Sequence, residues 1–370
     1  MQLKIIKWLS LPLIAIALFA VACSDDGGDA TETPAATATE AMTGTTEATA
    51  SATEAAPATP SGSLTVYSGR SESLIAPILE QFTAETGITV EARYGSTAEI
   101  ALALLEEGDS SPADVFIAQD PGGLAAVELA GLFATLPEDV TGLVDGAWRS
   151  NLGGWVGLSG RARVLVYNNE LLTEADLPSS VHDLTDEAWS GRVGWAPTNG
   201  SFQAFLTAMR AAEGEDAARQ WLEDMIANDV VAYGNNRAIV EAVASGEVEV
   251  GLVNHYYLHA YLAEQGEAFT ARNYHFPGGD IGSLISVAGA GVLNTSQNPD
   301  AAAFLLQYLL SEAGQRYFAD ATYEYPVVAG IEPNGDLVPL AEIQAPDVDI
   351  NDLSDLEGTL NLLREVGAIE

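Results

Sequence analysis

After Lys7 the chain contains no lysine, and every later cation among its 14 basic residues is an arginine. A phosphate-loop lysine, a Schiff-base lysine and a serine–lysine dyad are thereby excluded. Cysteine is as scarce: Cys23 is the single one, so no internal disulfide can form and most covalent catalysis is out of reach. Gly157-Leu-Ser-Gly160 lacks the Gly-x-Ser-x-Gly spacing of a nucleophile elbow. No enzyme motif survives these absences, and the chain reads as a non-enzyme.

Positive charge is the third shortage. Against 14 Lys+Arg stand 53 Asp+Glu, for a net charge of −39. Setting aside two leader lysines and seven linker acids leaves 12 basic and 46 acidic residues beyond residue 62. Such a field excludes nucleic acid as a partner and favours a cationic ligand. An acid-rich surface adapted to its medium accounts for the charge equally well.

What is present starts with a leader. Residues 1–22 carry two lysines, then an apolar run, then small residues, the pattern of a secretory signal and not of a membrane span. Its end, "AVAC", resembles the lipobox of bacterial lipoproteins, with Cys23 as the lipidated residue. That implies an extracytoplasmic protein anchored through lipid. Residues 23–62, rich in Thr, Ala, Glu and Pro, read as a solvated, disordered linker.

From residue 63 short apolar strands alternate with amphipathic helices: strands near 63–68, 88–94 and 113–118, helices near 72–87, 97–108 and 121–131. This alternation predicts an α/β fold with largely parallel sheets. Two long β stretches, 154–169 and 283–294, are long enough to cross between two halves, and a second α/β set lies between them. The expected architecture is a two-lobed clamp with two hinge crossings, each lobe a mixed sheet flanked by helices. Lobe 1 takes 63–160 with 288–325 returning to it, and lobe 2 takes 161–287 with the C-terminal helices of 326–370. Polar loops fall at predicted strand ends, where open α/β sheets bind ligands.

One such loop is "GLVNHYYLHA", 251–260, whose adjacent Tyr256 and Tyr257 cannot share one apolar face. Together with "LTVYSGRSESLIAPILEQFTAETGI", "SPADVFIAQD", "SGRARVLVYN" and "GWAPTNGSFQAF", it resembles the ferric-ion-binding receptors of bacterial ABC importers. The resemblance implies a periplasmic-binding-protein fold and Fe(III) held by the Tyr256 and Tyr257 phenolates. Fe(III) is a hard acid that favours anionic oxygen, and binding displaces the phenolic protons.

On the facing lobe, one branch of that family has a histidine in the first loop and a glutamate after the third strand; Ser71 and Gln119 stand there. A second branch aligns its first-loop pair with Ser71-Glu72, which makes Glu72 a replacement carboxylate; read by itself, Glu72 is a solvated first-turn residue favoured by the helix dipole. The first branch also holds a synergistic anion, phosphate or carbonate. Its positions map onto Asn199, Gly200, Ser201, Asn236 and Asn254, and Arg161 is a further candidate, with Arg70 and Arg163 able to assist. The partners implied are ferric ion, a membrane ABC-type permease and the lipid anchor, for a monomeric receptor.

Rival readings are an organic-cation receptor of polyamine type, with tyrosines stacked over the amine, and an oxyanion receptor. His255 and His259 have zinc-helix spacing, but Tyr256 stands where the hydrolase motif needs glutamate.

Overall fold

The computed structural model describes residues 60–370. The leader, Cys23 and most of the linker lie outside the described residues. Among the described residues no helix is long and apolar enough to cross a membrane.

The nine strands among the described residues are β1 (Ser63–Ser68), β2 (Thr89–Tyr94), β3 (Val115–Ala118), β4 (Trp155–Asn168), β5 (Val193–Trp195), β6 (Val231–Ala232), β7 (Val250–Asn254), β8 (Ala271–Tyr274) and β9 (Ile285–Val292). Their order is β2-β1-β3-β9-β4-β7-β5-β6, with β8 beside β4. β1 runs parallel to β2 and β3, and β5 runs parallel to β6 and β7. The helices between them follow from apolar spacing. In Glu72–Thr86 the buried residues are Ile75, Ile78, Leu79 and Phe82, one stripe at helical period, and the helix stops at left-handed Gly87 (φ 76°). Phe82 sits wholly inside the first core, where truncation to alanine would cost about 3–5 kcal/mol.

All 14 residues of β4 are buried, and the strand serves both halves. Trp155 to Ala162 pair antiparallel with β9, and Arg163 to Tyr167 pair with β7. A register shift between Gly157 and Ser159 interrupts the first pairing. β9 in turn pairs with β3. The two long β stretches read as crossings therefore lie side by side, hydrogen-bonded to one another. Val66, Phe116 and Trp155 belong to one hydrophobic core, and Trp195, Phe202 and Trp221 to another.

One detail differs from the sequence reading. β8, "ARNY", was not expected, because it is half polar with no clean alternation. The helical stretch over 200–228 is two helices, Gly200–Glu213 and Glu215–Ala227, divided at Gly214 (φ 99°). In the tail, Ile350 packs into the first core while Leu362 and Leu363 of the helix Leu356–Glu365 pack into the second.

Candidate metal and anion site between the lobes

Parallel strands deliver their carboxyl ends to one side of a sheet, and five such ends meet here. After β1 come Gly69-Arg70-Ser71, after β3 Gln119-Asp120, after β5 Thr198 to Ser201, after β6 Asn235-Asn236, and after β7 His255-Tyr256-Tyr257. Tyr256 opens the helix Tyr256–Gln265 directly, so the two tyrosines leave its first turn about 100° apart. Their rings nonetheless converge, with centroids 4.5 Å apart and planes at 36°. Tyr256 is 2% exposed and Tyr257 9%. Burial and the adjoining Tyr256 push the Tyr257 phenol well above its ordinary value, against the pull of Arg70 and Arg161. At neutral pH a strong cation is needed to take that proton off.

Arg70, Arg161 and Arg163, each at most 3% exposed, surround the pair. Burial lowers Arg163 to about 9, with Arg161 beside it adding to the effect. The interior of the cleft is thus cationic, the reverse of what the net charge led us to expect of it. Asn254 Nδ2 donates to the Tyr256 hydroxyl at 3.2 Å. Arg163 Nη1 and Asn236 Nδ2 both donate to Ser201 Oγ at 3.3 Å, and that hydroxyl donates to Asn199 Oδ1 at 2.6 Å. Arg161 Nη2 donates to the Val287 carbonyl at 2.8 Å.

Buried polar atoms are normally paired, and an unpaired one is destabilising by about 1–3 kcal/mol. Here several are left without protein partners: Arg161 Nη1, Arg163 Nη2, Asn236 Oδ1, Asn254 Oδ1, Gln119 Nε2 and Asp120 Oδ2. Donors with positive charge call for an anion, and the converging phenols call for a cation. A metal ion carrying its own anion meets both demands.

Ser71, Asn199, Tyr256 and Tyr257 line one cavity of about 230 Å³, and Ser71, Gln119, Asn199 and Gly200 line an adjoining one of about 300 Å³. The lobes touch across it. A Cβ at Gly200 would lie 2.3 Å from Asp120 Oδ2 and 3.3 Å from Thr97 Oγ1. Glu72 is the exception among the expected residues. It is exposed and turns into an outer groove with Leu79, Val90 and Tyr94, away from the tyrosines. One step along a helix start rotates a side chain by about 100°, enough to set Ser71 at the edge of the cavities and Glu72 in the outer groove.

The zinc-helix reading finds no support in the donors. His255 Nδ1 accepts from the Ala162 N–H at 3.1 Å, so Nε2 carries the proton and donates to the Tyr323 carbonyl at 2.7 Å. Among the described residues no three His, Cys, Asp or Glu side chains are grouped to hold a metal ion.

Two residues escaped the sequence reading. Asp120 was visible only as part of a polar strand end; it is buried against Gly200 and its carboxyl is raised to about 6 by burial, although Arg161 pulls the other way. Glu324 gave no signal at all, since its partner Arg70 is 254 positions away.

The family of bacterial extracellular solute-binding proteins matches residues 110–351. The chain is 33% identical over 308 residues to the Fe(3+)-binding periplasmic protein of Serratia marcescens, covering 83% of this chain and 90% of that protein. It is 34% identical to the major ferric iron-binding protein of a Neisseria meningitidis serogroup A strain, over 84% of this chain and 94% of the relative. Among solved structures, iron-bound HitA from Pseudomonas aeruginosa superposes with a TM-score of 0.80 at 36% identity, covering 82% of this chain and 99% of that one. The Trichodesmium protein solved with iron and citrate ligands gives 0.70 at 27% identity, over 83% and 99%. With this sheet order, this cleft and these matches, the chain belongs to the bacterial extracellular solute-binding proteins.

Proposed function

We propose that the protein is an extracytoplasmic receptor that captures ferric iron together with a small anion and hands it to an ABC importer. The observation that carries this is the buried tyrosine pair facing three guanidiniums, in a chain whose relatives are named for ferric iron. In this reading Tyr256 and Tyr257 supply phenolate oxygens. Ser71 and Gln119 approach from the other lobe, neutral groups that leave room for water or anion oxygen. Glu72 is left out of the site on its placement. Phosphate or carbonate occupies the space among Asn199, Gly200, Ser201, Asn236, Asn254 and Arg161, with Arg163 as a further donor. The helix start at Gly200 favours an anion there.

An ammonium ligand fits poorly, because the buried guanidiniums repel it. An oxyanion alone leaves the converging phenols without a purpose. The chain acts by binding, with no catalytic step, as a monomer tethered through lipid at Cys23.

Titrating iron-free protein with Fe(III), with and without phosphate or carbonate, tests the reading. A phenolate-to-iron band in the visible that strengthens with the anion is the expected result. Uptake of iron without such a band, or no uptake, refutes it.

A further inference from the structure

Just past the helix Glu312–Asp320, the chain runs through Thr322-Tyr-Glu-Tyr325 as a strap beneath the cleft. Its backbone is fixed at two points. The Glu324 N–H donates to the Phe318 carbonyl at 2.9 Å, and Tyr325 exchanges two backbone hydrogen bonds with Gly160 of β4, at 2.7 and 2.9 Å. Beside these anchors two consecutive residues, Tyr323 and Glu324, hold opposite sides of the site. The Tyr323 carbonyl accepts from His255, the residue immediately before the tyrosine pair. The Glu324 carboxylate accepts from Arg70 Nη2 at 2.6 Å and from Ser159 at 2.8 Å. Arg70 immediately precedes Ser71, and its charge acts on both tyrosines.

The backbone at Tyr323 is what makes this double grip possible, and it is strained. Its φ is +56°; of the described residues other than glycine, Asp229 alone shares a positive φ. A bulky side chain is disfavoured there and persists only when its surroundings over-determine it. Here the surroundings are the His255 bond and the stacking of the Tyr323 ring on His259, with centroids 5.4 Å apart and planes at 22°. Tyr323 also lines the cavity of the tyrosine pair.

We infer that Tyr323 and Glu324 are positioning residues for iron capture, fixing from one strap the tyrosine pair on one lobe and Arg70 on the other; the inference rests on the function proposed above. Neither touches the metal. The Tyr323 carbonyl sets the start of the tyrosine helix, and the Glu324 charge sets how much of the Arg70 field reaches the phenolates.

The test compares iron release to excess EDTA, and the visible band, in the full protein and three variants. Tyr323→Gly and Tyr323→Ala both delete the ring, but glycine keeps the left-handed backbone freely and alanine does not. Tyr323→Ala should release iron about tenfold faster than Tyr323→Gly, the ratio expected if backbone strain swings the carbonyl off His255. Equal rates overturn the inference, because packing of the ring would then be its whole contribution. Glu324→Gln should shift the band to shorter wavelength, since an uncompensated Arg70 holds electrons on the phenolates more tightly. An unmoved band in a folded Glu324→Gln overturns it as well. If that variant does not fold, the glycine–alanine pair decides. Wild-type protein that shows no band would instead undo the functional reading itself.

Discussion

The two walls of the cleft are built on opposite plans. The wall from the second lobe is crowded with polar groups: both tyrosines, Asn236, Asn254 and the arginines of β4, each buried and several with an unspent hydrogen-bonding atom. The wall from the first lobe presents Ser71, Gln119 and Thr97, small or neutral groups, with Asp120 and the Glu324-paired Arg70 buried beneath them. One wall supplies specific donors. The other supplies closure, through the contact of Gly200 with Asp120 and Thr97. A receptor built this way can bind on one lobe first and shut afterwards, with little specific chemistry needed from the lid.

The comparison breaks most readily at the tyrosines. Replacing both Tyr256 and Tyr257 by phenylalanine removes two oxygens and almost no volume, so folding is preserved. Iron affinity should fall by on the order of 10⁴, about 5.5 kcal/mol, with complete loss of the visible band, as checked by competitive titration. Unchanged affinity would mean that this wall is ordinary packing.

Next in size are the arginines. Arg161→Met and Arg163→Met should each weaken iron binding by roughly 10- to 100-fold, comparable with loss of other groups around a metal site. They should also abolish the response to phosphate or carbonate. Arg163→Met should at the same time raise the melting temperature of iron-free protein, because it removes a buried charge that lacks a carboxylate partner. Opposite signs in the two measurements separate a ligand-binding charge from a structural one.

The closure wall is tested by Gly200→Ala. The added methyl collides with Asp120 and Thr97, so the lobes should fail to meet fully. Iron affinity should drop by about tenfold, about 1.4 kcal/mol, and X-ray scattering should report a more open iron-loaded form.

Acidity distinguishes the walls by sign. Burial holds His255 at about 3 and His275 at about 4, both behind the tyrosine helix, against roughly 6.5 for a free imidazole. Their contribution to stability is complete above the unfolded value and is lost as pH falls toward those numbers. Asp120 runs the other way. Its carboxyl is raised to about 6, so its contribution is present at low pH and lost as pH rises from about 4 through 6. Melting curves of iron-free Asp120→Asn should therefore gain on the wild type as pH rises from 4 to 7, by up to about 3 kcal/mol. His275→Asn should gain as pH falls below 6.5. The smallest effects belong to the first wall: Gln119→Ala should change iron affinity by no more than about threefold, and Glu72→Gln should leave it alone.

The fold was legible because helices such as Glu72–Thr86 state their period openly and because β4 and β9 are conspicuously long for strands. β8 was not, since "ARNY" gains its pairing from β4 and not from any pattern of its own. In the candidate site, the tyrosine pair and the asparagines stood out at strand ends and by resemblance, and the structure brings them to one cleft. The cationic interior could not be weighed, because whether Arg70 and Arg163 point inward depends on tertiary packing. Glu72, one position past Ser71 at a helix start, turns into the outer groove, a direction no spacing in the sequence announces. Glu324 was beyond reach, for an ion pair across 254 positions leaves no mark in either neighbourhood.

The lateral pairing of β4 with β9 has a mechanical consequence. Two free connecting segments would let the lobes swing, slide and rotate independently. Two strands bonded edge to edge form a ribbon, stiff to stretching and to bending in its own plane, compliant mainly to twist. Opening and closing is then expected to follow mainly one twisting coordinate, and the register shift between Gly157 and Ser159 interrupts the ribbon along it. The same irregularity places Ser159, whose hydroxyl donates to Glu324 at 2.8 Å and accepts from Arg70 at 3.0 Å, so the ribbon and the strap beneath the cleft meet at one residue.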